Sequence, residues 1–257
     1  MAKKRMWLGR LALTALLTMG ARAAPAVAGD LPPAEEVLAK YTEAIGGEAL
    51  AKVENYSAEA EFEMPMQGVY AAAQEFWVSP DRFYFKIDLA SMGVTDYETG
   101  VVDGVAWQSH PMSGTSTLSG DEGAAARRRA SLNPFEDWQE DFETAETVGE
   151  ELVGEKPCYK VVLTPAEGAP LSSFFDKETG LLVRQELTGP TGSRSITILD
   201  DYEETQGILS PRTIETKGAQ SYTLRYTKVT YDTEDVSEDV FELPATLRAE
   251  PASAPTP

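Results

Sequence analysis

The spacing of apolar side chains changes near residue 53 from a helical period to a strand period. Before that point, the apolar residues recur every three or four positions, as on one face of a helix: Ala34, Val37, Leu38, Tyr41 and Ile45. Pro32 and Pro33 suit the first turn of this helix, and Gly46-Gly47 is a typical helix end. A short second helical piece is expected over residues 48–52.

Beyond residue 54 the pattern alternates, as in a strand with one buried and one solvated face. Between Asn55 and Met64 the even positions are apolar or small, and Glu59, Glu61 and Glu63 separate them. Similar runs are predicted as strands at 70–78, 82–88, 94–102, 105–110, 159–164, 172–176, 181–188, 194–202, 211–216 and 221–231. Asp103-Gly104 is typical of a two-residue hairpin turn. About eleven short strands predict a mainly β fold, a strongly curved antiparallel sheet or barrel with some helix.

The middle of the chain interrupts the strands with helical signals. Ser119 to Glu122 has the spacing of a capping box before a helix over 123–130, and Asn133-Pro134 is typical of a second helix start. Arg127, Arg128 and Arg129 form a basic run inside this insertion. One interpretation is an exposed helix face balanced by nearby acids. The other is a local contact for an anionic head group or partner.

The first residues have the pattern of a cleavable signal peptide. Lys3, Lys4 and Arg5 precede an apolar run over 8–20, which is shorter than the about 20 residues needed to span a bilayer. Ala26-Val27-Ala28 is a small-residue cleavage site. We therefore predict a signal peptide over 1–28, cleaved after Ala28, and a periplasmic protein. The domain is predicted over 29–247, with a disordered Pro- and Ala-rich tail at 248–257.

Composition excludes several classes of function. The chain of 257 residues has 42 acidic and 22 basic residues, and the net charge of -20 disfavours nucleic acid as a partner. One histidine, His110, and one cysteine, Cys158, give little basis for a His-based metal site, a catalytic triad or a disulfide. Cys158 is expected to be a small buried residue. We expect no catalytic residues, no metal and no cofactor.

Large apolar side chains are concentrated in the early strands and in the insertion. They could form an ordinary core, or they could line a cavity between the curved sheet and its helices. The predicted cavity-lining residues are Phe62, Met64, Phe76, Phe83, Phe85, Met92, Trp107, Phe135 and Trp138. Burying one methylene is worth about 0.8 kcal/mol, so a palmitoyl chain represents roughly 12 kcal/mol of avoided water contact. Such a cavity would suit a lipid carrier.

An ordered series of short motifs resembles a known superfamily. These motifs are VDGVAW (102–107), the helical insertion, VGEKPCYKV (153–161), FFDKETGLLVR (174–184), PRTI (211–214) and VFELP (240–244). Together with the first helix, they resemble the outer-membrane lipoprotein-sorting proteins of the LolA/LolB-like superfamily over nearly the whole mature chain. The resemblance implies an unclosed antiparallel barrel of about eleven strands, with helices that plug or cover an apolar cavity.

The resemblance also implies a function. We expect a soluble, non-enzymatic periplasmic carrier or chaperone, which binds the acyl chains of lipoproteins or other lipids for outer-membrane sorting. Partners would be these chains and components of inner- or outer-membrane transport, and the carrier is expected to be a monomer. The alternative is an envelope interaction or sensory module with a solid interior. A hydrolase would instead require two carboxylates about 5–10 Å apart in a cleft.

Overall fold

A computed structural model of the protein describes residues 31–166, 168–189 and 192–248. The predicted signal peptide and the predicted tail, apart from Arg248, lie outside these residues. Helix α1 spans Ala34–Ala44 and helix α2 spans Gly120–Arg129. The strands are β1 (Asn55–Met64), β2 (Val69–Val78), β3 (Arg82–Ile87), β4 (Tyr97–Val102), β5 (Val105–His110), β6 (Gly114–Thr117), β7 (Thr144–Val153), β8 (Lys156–Thr164), β9 (Leu171–Asp176), β10 (Leu182–Thr188), β11 (Arg194–Thr205), β12 (Ile208–Lys217) and β13 (Tyr222–Tyr231).

All of these strands belong to one antiparallel sheet. Its order runs β6-β5-β4-β3-β2-β1 and continues through β13-β12-β11-β10-β9-β8-β7. The first and last strands therefore pair at its centre, with Tyr56 opposite Tyr231. The two edges are β6 and β7, and the helical insertion connects them along the chain. The predicted mainly β, unclosed antiparallel architecture is confirmed.

The structure has thirteen strands instead of the predicted eleven, and the two additional strands are the edges of the sheet. Strand β6 has only four residues, and all of them are Gly, Thr or Ser. Strand β7 is exposed or half-buried along its whole length. Edge strands bury little apolar surface, so their sequences lack the strong alternation that identifies an inner strand.

The main core lies on one face of the sheet, which we call the inner face, where the helices pack. Helix α1 contacts β7 and β8, and α2 contacts β4 and β5. Buried apolar residues of α1, the insertion and the inner face form one cluster. The opposite, outer face has a small cluster of Cys158, Phe174 and Val183, which confirms the expected burial of Cys158.

Local predictions hold at several turns and helix ends. A short 3-10 helix at Leu50–Lys52 follows α1, as predicted. Asp103 and Gly104 both have positive φ, at 51° and 75°, as a two-residue hairpin turn requires. Ser119 is the N-cap of α2, but its side chain accepts no capping hydrogen bond, so the predicted capping box is not formed.

Candidate functional site

The nine predicted cavity residues are distributed over both faces of the sheet. Four of them lie on the inner face of β1 and β3: Phe62, Met64, Phe83 and Phe85. Phe135 and Trp138 lie in the insertion and pack against the same core. Phe76 and Trp107 are on the outer face, where each packs near the ring of Tyr84. Met92 is 47% exposed between β3 and β4. Lipid contact by these residues stays a prediction.

The inner face is tightly filled near β8 and β9. The ring of Phe135 from the insertion meets those of Tyr41 and Phe175 edge to face, with each pair of ring centres 5.5 Å apart. Val161, Leu163 and Phe175 are fully buried at 0% exposure. We call this region, beneath α1 and Phe135, the sealed half of the inner face.

A polar cluster lies on the inner face at β1, β2 and β13. Glu75 lies two residues from each of the buried Ala73 and Trp77 in β2. Every second residue of a strand faces the same side, so the Glu75 side chain points to the inner side. Its carboxylate accepts hydrogen bonds from both neighbouring strands: Tyr56 Oη donates to Oε1, and Tyr226 Oη donates to Oε2 at 2.9 Å. We call Glu75, Tyr56 and Tyr226 the Glu75 cluster.

Small residues leave space around this cluster. Ala58 lies directly opposite Glu75 in the pairing of β1 with β2, and Ala60 lies opposite Tyr226 in the pairing of β1 with β13. Because alanine fills little volume, the long side chains of the glutamate and the two tyrosines can meet above the sheet.

Arg129 reaches the same region from helix α2. The helix ends at Arg129, and the next carbonyl, that of Ala130, accepts a 2.6 Å hydrogen bond from the buried indole Nε1 of Trp77. This bond fixes the end of α2 over β2. The guanidinium of Arg129 is close enough to Glu75 and to Tyr226 to influence the pKa of both.

Burial is the largest single influence on the pKa of each of these groups. It raises the pKa of Glu75, although the hydrogen bonds from Tyr56 and Tyr226 and the charge of Arg129 act in the opposite direction. Burial also raises the pKa of both phenols well above the ordinary value, with a further contribution from Glu75. Burial lowers the pKa of Arg129, but Tyr222, Glu75 and other neighbours raise it, and the net change is upward. The phenols therefore remain donors and Arg129 remains a cation.

These side chains keep contact with solvent. Tyr56, Glu75 and Tyr226 are half-buried, and so are Tyr97 and Tyr222 on the same face. Arg129 is solvent-exposed, yet protein surrounds it closely enough for burial to act on its pKa. Both observations fit a side chain at the boundary between the protein interior and solvent. We call this region, between α2 and β1, β2, β4 and β13, the open half of the inner face.

Sequence reasoning missed Glu75 and did not single out Arg129. Glu75 is an acid inside a mostly apolar strand. The available signal was its position two residues from both Ala73 and Trp77, which places all three side chains on one face of the strand. The inner position of Arg129 follows from where α2 ends, a boundary that the run of three arginines does not define.

Two surface depressions are formed by the described residues. A groove of about 690 Å³ runs along β1 and β2, and its lining includes Phe62 together with Glu59, Glu61 and Glu63. A smaller pocket of about 370 Å³ lies between α1 and the insertion, lined in part by Phe135 and Trp138.

The described residues form neither a metal-ligand cluster nor a membrane-spanning helix. Over 31–166, 168–189 and 192–248, no group of three or more His, Cys, Asp or Glu side chains is arranged to hold a metal ion. Within those same ranges, every helix is too short or too polar to span a membrane.

Comparison of whole structures identifies proteins with a similar fold. The chain is similar to a DUF1329 family protein from Desulfovibrio piger, with a TM-score of 0.60 and 14% identity over 82% of this chain and 98% of that one. It is also similar to a LolA superfamily protein from Nitrosomonas europaea, with a TM-score of 0.58 and 14% identity over 83% and 99% of the two chains.

These similarities establish the fold, which is that of the LolA superfamily protein. The predicted resemblance is therefore confirmed at the level of the fold. In sequence, no protein-family model and no curated protein matches the chain.

Proposed function

We propose that this protein is a soluble periplasmic carrier that binds the acyl chains of lipoproteins or other lipids for outer-membrane sorting. The acyl chain would enter the open half of the inner face, beneath α2. The observation that carries the proposal is the composition of this half: Phe62, Phe83 and Phe85 belong to one buried apolar cluster, while the side chains around Glu75 remain accessible to water. The three phenylalanine rings would form an apolar wall for the acyl chain.

The energetics favour such a use. Each methylene that moves from water into an apolar space contributes about 0.8 kcal/mol. A hollow with an apolar wall can therefore hold an acyl chain without any chemical step. The similarity in fold to a LolA superfamily protein supports the same proposal.

The groups around Glu75 support binding rather than catalysis. Both carboxylate oxygens accept hydrogen bonds from phenols, and the charged group that acts on the carboxylate is Arg129. A glycoside hydrolase would require a second carboxyl group at about 5–10 Å, poised for proton transfer or attack. We therefore propose a non-enzymatic role, with no cofactor.

Lipid analysis tests the proposal directly. The processed protein, purified from the cell envelope by mild extraction, is expected to carry lipid in native mass spectrometry and to bind a fluorescent fatty acid after delipidation. A protein that is consistently free of lipid and binds no fatty acid would contradict the proposal. It would favour the alternative, an interaction or sensory module with a solid interior.

Two methionines on one stretch of chain provide a matched pair of variants. Met64 is half-buried on the inner face at the end of β1, whereas Met66 is 91% exposed. Met64→Glu places a charge beside the proposed acyl chain and is expected to weaken fatty-acid binding about tenfold or more. Met66→Glu should bind like the wild type. Equal behaviour of the two variants would place the lipid elsewhere.

A further inference from the structure

Two opposite charges face the open half without neutralising each other by direct contact. Glu75 lies two residues from Trp77 in β2, and the hydrogen bond from Trp77 to the carbonyl of Ala130 places Arg129, the last residue of α2, over the same strand. Among the described residues, the hydrogen bonds to the Glu75 carboxylate come from Tyr56 and Tyr226. In the same set of residues, the guanidinium of Arg129 forms neither an ion pair nor a hydrogen bond, and it is exposed to solvent.

Both groups have unused bonding capacity. Each carboxylate oxygen has two acceptor positions, and the phenol uses one position on each oxygen. A guanidinium has five donor hydrogens in a planar fork that matches a phosphate. The open half therefore presents an acceptor for a cation at Glu75 and donors for an anion at Arg129, with Tyr226 hydrogen-bonded to Glu75.

We propose that Glu75 and Arg129 bind the zwitterionic head group of a phospholipid, with a primary ammonium donating to Glu75 and the phosphate accepting from Arg129. This inference rests on the proposed lipid-binding function, because the acyl chain of the same molecule would lie against the apolar wall. Tyr222 and Tyr97, which lie near Arg129, complete the polar end of the site.

The charge balance favours a zwitterion over an anion. A purely anionic head group would meet the carboxylate of Glu75 and a chain with a net charge of -20. A purely cationic head group would leave Arg129 uncompensated in a partly desolvated space. A zwitterion satisfies both charges at once, so its binding to the open half leaves neither protein group unpaired.

Three lipids with the same palmitoyl chain separate the head group from the chain. Lysophosphatidylethanolamine is zwitterionic, lysophosphatidylglycerol is anionic, and monopalmitoylglycerol is uncharged. Each lipid displaces a neutral fluorescent dye from the delipidated, processed protein. For the wild type we expect lysophosphatidylethanolamine to bind about tenfold more tightly than either of the others, since charge-assisted hydrogen bonds discriminate by that order.

The variants assign the preference to the two charges. Glu75→Gln should reduce the affinity for lysophosphatidylethanolamine to that for lysophosphatidylglycerol, and Arg129→Gln should reduce it to that for monopalmitoylglycerol. The controls are Glu61→Gln on the outer side of β1 and Arg127→Gln on the exposed face of α2, which should retain the wild-type preference. If Glu75→Gln fails to fold, the exposed Arg129 position still decides the proposal.

The outcomes distinguish this inference from the proposed function. Equal binding of all three lipids, or tightest binding of the anionic lipid, would overturn the head-group site and leave the carrier function standing. If none of the three binds, including monopalmitoylglycerol, the carrier function and the head-group site both fail. An unchanged preference in Arg129→Gln would also overturn the site.

Discussion

The sealed and open halves of the inner face belong to one sheet but are filled differently. In the sealed half, α1 and Phe135 pack onto β8 and β9, and Phe175 reaches 0% exposure. In the open half, α2 lies over β4 and β5, and Glu75 and its tyrosine partners keep contact with solvent. The difference shows that the sheet alone does not determine the interior. The segments that pack on it decide which part is core and which part can receive a ligand.

The largest expected effect comes from removing a ring in the sealed half. Phe175→Ala should lower the free energy of unfolding by about 3–5 kcal/mol, because the fully packed surroundings cannot close over the lost ring. Phe62→Ala in the open half should cost clearly less, since solvent already reaches nearby groups. Urea denaturation followed by tryptophan fluorescence measures both losses. Equal losses would mean that the two halves are packed alike.

A glycine substitution tests whether the outer face of the sheet is tightly packed in the same part of the molecule. A Cβ at Gly100 would lie 2.7 Å from the carbonyl oxygen of Phe83 and 3.0 Å from Nε1 of Trp107. Gly100→Ala should therefore destabilise the protein by about 1–3 kcal/mol. The control is Gly149→Ala in the edge strand β7, where a Cβ meets nothing within 4 Å. A harmless Gly100→Ala would show that the outer face of this half is loose as well.

The hydrogen bond from Trp77 to Ala130 holds the end of α2 on the sheet. Trp77→Phe removes the donor and leaves a buried carbonyl unpaired, at an expected cost of about 1–2 kcal/mol. Amide hydrogen exchange in α2 should become faster, while exchange in α1 should be unchanged. Trp138→Phe, in the same insertion, is the matched control. If α2 exchange stays at the wild-type rate, another contact holds the helix.

The smallest expected effect is a pH dependence centred on Glu75. Burial raises the pKa of this carboxyl in the folded state, so the folded protein binds more protons than the unfolded chain as pH rises above the ordinary value. The contribution of Glu75 to stability is therefore full at low pH and decreases as pH rises through the raised pKa. Denaturation across this range should show the wild type losing stability relative to Glu75→Gln.

The matched control for this titration is Glu61→Gln on the outer side of β1. It removes one acidic group from an exposed position and so controls for the change in net charge. A difference between Glu75→Gln and the wild type that does not vary with pH would mean that Glu75 titrates alike in the folded and unfolded states.

The sequence predicts those elements whose own residues determine their conformation. Strand β1 alternates strictly, and α1 has an apolar stripe at helical spacing, so both were predicted close to their observed bounds. Strands β6 and β7 were missed because an edge strand takes its structure from its neighbour's hydrogen bonds and needs little apolar alternation.

The candidate site was less predictable because it depends on which way each side chain points. Phe85 and Trp107 are both large, apolar and buried, but they lie on opposite faces of the sheet, a difference that residue type does not reveal. The charge of Glu75 predicts an outward side chain, whereas its position in β2, on the same face as Ala73 and Trp77, places it on the inner side. The approach of Arg129 to Glu75 joins an insertion to a distant strand, and no local pattern encodes such a contact.

The pairing of β1 with β13 has a consequence for the order in which the protein can fold. The sheet has two arms, β1 to β6 and β7 to β13, and within each arm consecutive strands are neighbours. Most strand pairs therefore form between segments that are close in sequence. The pairing of β1 with β13, which joins the two arms, links segments that are far apart in sequence. Tyr56 in β1 pairs with Tyr231, which lies near the end of the chain. Tyr226 also reaches Glu75 from this last strand. The polar centre of the open half therefore forms only when the C-terminal strand has arrived, and a chain stopped before β13 would lack it.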